Sequence, residues 1–166
     1  MAKRFRVSET FRQDKRVDLK YPHGRPEKHR SEARCPECGL LYQDGVWKWK
    51  APNIKGALQS RLCPACIQIR DGHAGGVAEL DGSYTVSHRQ ELLNRIRNVE
   101  KQVLLERPLE RIISLRETKS QIIVSATTEH LIARIGKAIQ RDFGGTLDLR
   151  YAPEDKFATA RWHRDL

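Results

Sequence analysis

Two short stretches decide how this chain is organised: Cys35-Pro36-Glu37-Cys38-Gly39 and Cys63-Pro64-Ala65-Cys66. Together they contain all four cysteines of the 166 residues, and 24 residues separate them. Paired C-x-x-C turns are the ligand pattern of a four-cysteine zinc ribbon, and four thiolate ligands leave no open position for water on the metal. The spacing therefore predicts a structural zinc ion held by Cys35, Cys38, Cys63 and Cys66.

Two other uses of the same cysteines remain open. An iron–sulfur cluster takes the same thiolate ligands. A thioredoxin-like redox centre would need one such motif at a strand-to-helix turn, and the duplicated motif argues against it. Thiolate ligands favour a reducing compartment, and no apolar signal segment or membrane span is evident. We therefore expect a cytoplasmic protein without membrane association.

The predicted ribbon covers residues 35–72 and contains a hairpin signal. Asp44-Gly45 lies between Leu40-Leu41-Tyr42 and the run 46–50, which is typical of a two-residue hairpin turn. Alternation along the second strand places Trp47 and Trp49 on one face, where we expect them to cover the small core of the ribbon. The alternative is an exposed platform for stacking. Lys48 and Lys50 would share the opposite face and point toward solvent.

The region 84–166 has the pattern of a small α+β domain. Ser87 and Gln90 form a capping box before a helix that Pro108 ends, and Thr128 is the N-cap of a second helix. Strands are predicted at 111–117, 121–127, 146–151 and 156–163. The order α-β-β-α-β-β predicts a four-stranded antiparallel sheet with both helices on one face and the other face open. We interpret residues 73–83 as a connector with a possible short strand at 77–80.

Residues 1–34 are predicted to form a basic, extended arm. They contain eleven Lys/Arg and five Asp/Glu, a large part of the formal net charge of +10. Because their hydrophobicity is low and their charge is high, they cannot bury enough apolar surface to offset the entropy lost when the segment becomes ordered by itself. A basic arm on a nearly neutral body indicates a polyanion-binding protein. The alternative is a tail that only increases solubility.

A second basic surface is predicted on the helix at 128–143, where three basic residues lie opposite the apolar stripe. Such a stripe is more often a solvated face than a set of phosphate contacts. The candidate nucleic-acid-binding residues are Arg4, Arg6, Arg12, Lys15, Arg16, Lys20, Arg25, Lys28, Arg30, Arg34, Lys48, Lys50, Arg70, Arg134, Lys137 and Arg141.

No set of side chains suggests catalysis. The six histidines are dispersed and none has an H-x-x-x-H or H-E-x-x-H spacing. We predict a protein that is not an enzyme and has no small-molecule substrate. The sequence indicates no oligomeric state.

Several stretches resemble the small bacterial NMD-type proteins, which are commonly described as affecting ribosome stability and mRNA decay. These proteins are similar to the N-terminal zinc region of the adaptor that escorts the large ribosomal subunit out of the nucleus. The similar stretches are Arg12-Gln13-Asp14-Lys15, the two cysteine turns, Asp44-Gly45-Val46-Trp47, Ile67-Gln68-Ile69-Arg70-Asp71, His88-Arg89-Gln90-Glu91-Leu92-Leu93-Asn94, Pro108-Leu109-Glu110-Arg111-Ile112, and Glu129-His130-Leu131-Ile132-Ala133-Arg134-Ile135-Gly136-Lys137-Ala138.

The resemblance implies zinc at the four cysteines and association with the ribosome or ribosomal RNA, in ribosome stability, hibernation or assembly. Roles in export or decay do not carry over, because the further domains of the adaptor are not found here. The alternative function is a protein–protein or DNA-binding adaptor that uses the ribbon and the open face of the sheet. A strongly basic recognition helix is missing, which makes sequence-specific DNA reading less favoured.

Overall fold

The computed structural model describes residues 32–166, which begin with a small sheet. Its strands are β1 (Ala33–Arg34), β2 (Leu41–Gln43), β3 (Val46–Lys48) and β4 (Gln59–Ser60), in the order β3-β2-β1-β4. β2 and β3 form the predicted hairpin. Asp44 and Gly45 have φ angles of 53° and 83°. Positive φ at both central residues is what a type I′ turn requires, so the hairpin prediction is confirmed.

The first cysteine turn lies between β1 and β2, and the second follows β4. Residues 1–31, which hold most of the predicted arm, lie outside the described part of the chain. The last two residues of the predicted arm form β1, where Ala33 is fully buried. The second cysteine turn runs directly into α1 (Pro64–Asp71), which ends at Gly72 in the left-handed conformation with φ 68°.

A five-stranded mixed sheet and three helices form the rest of the described chain. Its order is β6-β7-β5-β9-β8, and β5 pairs antiparallel with β7 but parallel with β9. The strands are β5 (Gly76–Asp81), β6 (Ile112–Glu117), β7 (Ile122–Ala126), β8 (Thr146–Ala152) and β9 (Phe157–His163). The helices are α2 (Ser83–Ser87), α3 (Arg89–Glu106) and α4 (Glu129–Phe143).

The mixed α+β class is confirmed, but the predicted four-stranded antiparallel sheet is wrong. The additional strand, β5, confirms the possible short strand at 77–80 within the residues interpreted as a connector, and it occupies the centre of the sheet. Gly75 and Gly76, at the start of this strand, mark close backbone packing. A Cβ on Gly75 would lie 2.4 Å from the Thr127 carbonyl oxygen, and one on Gly76 would lie 2.7 Å from that of Ala158. Glycine in a strand often marks such a close approach.

The main core lies between this sheet and two helices. α3 and α4 pack on the same face, and their buried side chains contact inward residues of β5, β7 and β9. The Thr128 hydroxyl accepts a hydrogen bond from the backbone N–H of Leu131, which confirms it as the N-cap of α4. The capping box at Ser87 is wrong, because Ser87 belongs to α2 and its hydroxyl donates to the Ser83 carbonyl oxygen. Among residues 32–166, no helix combines the length and apolar character needed to cross a bilayer.

We expect the Gly76→Ala substitution to lower the free energy of unfolding by about 3 kcal/mol, because overpacking against fixed backbone distorts the central strand. The added Cβ would also lie 2.8 Å from Cγ1 of Ile132. The matched control is Gly72→Ala, where a Cβ meets nothing within 4 Å and only the left-handed φ costs about 1 kcal/mol. Urea denaturation of the metal-loaded proteins measures both. Equal losses would contradict the assignment of Gly76 to a closely packed strand.

Candidate metal centre

The four cysteines meet at one point of the small sheet. Their Sγ atoms all lie within 4.8 Å of one another, and those of Cys38 and Cys63 are 3.7 Å apart. Zn–S bonds of about 2.3 Å give tetrahedral S···S edges of about 3.8 Å. The separations therefore fit a closed four-thiolate site that could hold a metal ion.

Backbone geometry of the two turns points donors at the sulfurs. The first turn is closed by the Gly39 N–H, which donates to the Cys35 carbonyl oxygen at 2.9 Å. The Cys63 N–H donates to the Cys35 Sγ at 3.3 Å, and the Cys66 N–H to the Cys63 Sγ at 3.4 Å. Such N–H···S bonds stabilise thiolates, the form of cysteine that binds metals.

The thiols differ in their ease of ionisation. Burial opposes the ionisation of Cys35, but the backbone donors from Cys63, Cys38 and Glu37 outweigh it and lower its pKa to about 6. Burial raises the pKa of Cys66 to about 11 and raises that of Cys63 further. Without a cation, four thiolates at this separation repel one another, so a positive charge is needed to hold the site in its ligating form.

Part of that positive charge comes from Arg111, which precedes β6. We call the part of the chain that forms the five-stranded sheet and its helices the α/β domain. The Arg111 guanidinium donates to the Sγ of Cys38 at 3.2 Å and to that of Cys66 at 3.6 Å. Burial opposes the charge of Arg111, but the hydrogen bond and the negative charge of the cysteines keep its pKa above the ordinary value. Arg111 therefore joins the two parts of the chain through the ligands themselves.

Three further contacts connect the ribbon to the α/β domain. The Trp49 indole Nε1–H donates to the Leu104 carbonyl oxygen at 2.8 Å, and the Gln68 amide donates to that of Thr127 at 2.9 Å. Leu109 packs against the apolar cluster around the cysteines. The ribbon is thus held on the α/β domain by apolar packing, hydrogen bonds and an arginine–sulfur contact.

Sequence reasoning assigned no role to Arg111, and no signal in the sequence would have found it. It stood as the first residue of a predicted strand, and 73 positions separate it from Cys38. The structure also separates the two tryptophans. Trp47 packs on the cysteine cluster as predicted, whereas Trp49 lies beyond the end of β3 and contacts α3. The expectation that both cover the ribbon core is wrong for Trp49.

The candidate nucleic-acid contacts are not gathered into one site. Arg4, Arg6, Arg12, Lys15, Arg16, Lys20, Arg25, Lys28 and Arg30 lie outside the described residues. Arg34 and Lys50 are exposed on the ribbon, and Lys48 is half-buried. Arg70 is paired with Asp71 at the end of α1.

On α4, the predicted basic stripe does lie on the solvent face, since Arg134, Lys137 and Arg141 are all exposed. Carboxylates offset two of its charges. Arg141 pairs with Asp142 at 2.7 Å, and Arg134 lies 3.9 Å from Glu110. This stripe is therefore a weaker phosphate-binding surface than its sequence suggested.

A second polar cluster lies far along the chain from the cysteines. His163 contacts Asp81 at 2.6 Å through Nδ1 and Asp165 at 3.1 Å through Nε2. Hydrogen bonds to Asp81 and then Asp165 raise the pKa of His163. The two imidazole nitrogens point to different carboxylates, so the three side chains do not converge on one point as metal ligands would. This cluster ties the segment after β9 to the end of β5.

Comparison of the chain with known proteins gave no matching family model, no matching curated protein and no matching solved structure. The resemblance to the NMD-type proteins therefore stays a prediction from the quoted motifs.

We expect the Arg111→Gln substitution to weaken metal affinity by about 10- to 100-fold, as is typical when a partner of metal ligands is removed. Competition with a chromophoric zinc chelator measures the affinity. Arg97→Gln changes the same charge on the exposed surface of α3 and serves as the control. An affinity of Arg111→Gln equal to that of the control would contradict the role of Arg111 at the thiolates.

The His163 cluster gives a pH dependence. Because the folded-state pKa is raised, the imidazolium stabilises the fold fully below the unfolded-state value of about 6.5, and that stabilisation is lost as the pH rises through the folded-state pKa. NMR titration should therefore place His163 above 6.5 and show a decrease in Asp81→Asn. Asp148→Asn, on the neighbouring strand, should leave it unchanged. An unshifted His163 in the wild type would disprove the ion pair.

Proposed function

We propose that this chain is a non-enzymatic, cytoplasmic zinc-ribbon protein that binds ribosomal RNA on the ribosome, in ribosome stability, hibernation or assembly. Zinc held by Cys35, Cys38, Cys63 and Cys66 would keep the ribbon in one shape. Lysines and arginines outside the metal centre would bind phosphates. The ribbon and the α/β domain would act as one rigid support for these contacts.

The observation that carries this proposal is the closed thiolate centre with Arg111 at its side. Four sulfurs and a guanidinium leave no position for a substrate or a reactive water, so the centre supports a structural role for the metal. Within residues 32–166, it is also the single group of three or more potential metal-binding side chains that converge. Function would then depend on the surface that the centre supports.

The distribution of charge supports a polyanion as the partner. Residues 1–31 hold ten Lys/Arg and four Asp/Glu. This segment leads directly into β1, the strand that precedes the first cysteine turn. A basic segment attached to a rigid ribbon would enter grooves of RNA from a fixed starting direction, with contacts to phosphate that carry no sequence readout.

A protein adaptor is the second candidate, and the sheet face opposite the helices favours it. That face carries both signs of charge, with Glu79 and Asp81 on β5 beside Arg161 and His163 on β9. Glu79 and Arg161 lie 3.8 Å apart. A face with balanced charges is poorly suited to RNA and better suited to a polar protein interface.

Fractionation of a cell lysate on sucrose gradients tests the proposal. We expect the protein to sediment with ribosomal particles at low salt and to be released at high salt, because phosphate contacts exchange for counterions. Recovery in ribosome-free fractions at both salt concentrations would refute ribosome binding. Co-sedimentation with another protein complex would support the adaptor instead.

Removal of residues 1–31 tests the contribution of the basic segment. The deletion should stop there, because Glu32 accepts a hydrogen bond from Gln43 and Ala33 lies in the ribbon core. We expect weaker RNA binding and a shallower dependence of affinity on salt, with metal content and thermal unfolding unchanged. RNA affinity equal to that of the full chain would refute the role of the segment.

Metal analysis tests the identity of the ion. We expect one zinc ion per chain and colourless protein, and cobalt substitution should give the absorption of a tetrahedral four-thiolate centre. A brown protein that contains iron and labile sulfide would instead support the iron–sulfur alternative. Substitution of any one of the four cysteines by serine should release the metal and unfold the ribbon.

A further inference from the structure

The two tryptophans of the ribbon have different surroundings, and the difference points to a binding surface. Trp47 packs with Tyr42, their ring centroids 5.2 Å apart, against the cysteine cluster. Trp49 follows the end of β3 and leaves 37% of its surface exposed. Most of the indole is therefore covered, and the exposed remainder faces solvent where the ribbon contacts α3.

The Trp49 ring is held in one orientation. Its Nε1–H donates to the Leu104 carbonyl oxygen, which belongs to the last turn of α3 and has no partner within the helix. The Arg111 guanidinium carbon lies 5.7 Å from the ring centroid. Because the ring is already fixed, a planar ligand that stacks on it loses little further side-chain entropy.

The residues next to Trp49 in sequence are basic, and a leucine follows the residue to which its indole donates. Leu105, next to the carbonyl that Trp49 binds, is 78% exposed. Lys48 and Lys50 flank Trp49 in sequence, and Lys50 is exposed. Glu106 is the acidic residue adjacent to Leu105 in sequence, so the lysines leave the surface net positive. Trp49, its sequence neighbours Lys48 and Lys50, and Leu105, which follows the residue that Trp49 binds, are together called the junction patch.

We propose that the junction patch binds an unpaired nucleotide of RNA. The base stacks on the exposed part of Trp49 with its edge against Leu105, while Lys48 and Lys50 contact the flanking phosphates. This inference rests on the proposed function and names one contact site for it. Single-stranded RNA is commonly bound in this way, by an aromatic ring that stacks a base beside basic side chains.

Size and charge favour this occupant over a protein. A stable protein interface buries about 800 Å² on each partner, whereas the apolar part of the patch consists of one partly exposed indole and one leucine. That area suits one base. Duplex RNA is excluded as the ligand, because its bases are stacked within the helix and cannot reach the ring.

Substitutions at Trp49 in the full, metal-loaded chain test the inference with a single-stranded oligouridylate and a duplex RNA of equal length. Loss of base–aromatic stacking in Trp49→Ala should weaken binding of the single strand by about 5- to 100-fold. Trp49→Phe retains an aromatic ring but loses the indole donor, so it should bind within about 3-fold of the wild type. Tyr151→Ala, which removes another exposed aromatic residue, serves as the control.

Tryptophan fluorescence separates stacking from a purely structural role. The single strand should quench wild-type emission, and the quenching should be absent in Trp49→Phe although affinity is retained, because Trp162 is buried and Trp47 lies in the ribbon core. Replacement of Lys48 and Lys50 by glutamine should reduce the slope of log affinity against log salt by about 1.

Three results would overturn the inference. They are single-strand binding without quenching from Trp49, equal quenching by duplex RNA, and equal affinity losses in Trp49→Phe and Trp49→Ala. Each leaves RNA binding by the rest of the chain intact, and so leaves the proposed function standing. No binding of any RNA at low salt would instead refute the proposed function itself.

Discussion

The contact between Arg111 and the thiolates of Cys38 and Cys66 links the ribbon to the α/β domain. A divalent ion with four thiolates carries a formal net charge of −2, and partial burial makes that charge costly. The guanidinium halves it and supplies two directed hydrogen bonds. Because Arg111 precedes β6, the charge balance of the ribbon depends on the α/β domain being in place. Binding of a metal ion by the four cysteines would therefore be coupled to domain docking.

Much of the fold follows from local sequence signals. The cysteine spacing predicted that the four thiols cluster, Asp44-Gly45 predicted the hairpin, and Thr128 predicted the start of α4, since each turn or cap depends on residues a few positions apart. The predictions were wrong where distant residues decide. The possible strand at 77–80 is β5, but its place at the sheet centre depends on pairing with β7 and β9, and Arg111 reaches sulfurs of the ribbon. A single sequence does not show which residues that are distant along the chain will come into contact.

Trp49 shows how a periodic pattern is lost at the end of an element. Strict alternation would place it with Trp47, but β3 ends at Lys48 and the chain turns before Pro52. The following indole meets the carboxyl end of α3, whose free carbonyl groups need donors. Alternation within the strand therefore explains the position of Trp47, and the hydrogen bond to a free carbonyl at the end of α3 explains the position of Trp49. The same indole thereby contributes to domain docking and leaves part of its ring exposed to solvent.

The parallel pairing of β5 with β9 has a consequence for the order of folding. Asp81 and His163, at one end of this pair, are 82 residues apart in sequence. During synthesis the four cysteines emerge before Arg111, which balances the charge of their thiolates, and β5 must wait with an unpaired edge until β9 emerges. Contacts between residues so far apart in sequence form slowly, and strand edges without a partner promote aggregation. The nascent chain thus passes through a stage in which the thiolates lack their arginine partner and β5 lacks β9, so that both parts of the chain are incomplete until the last strand is made.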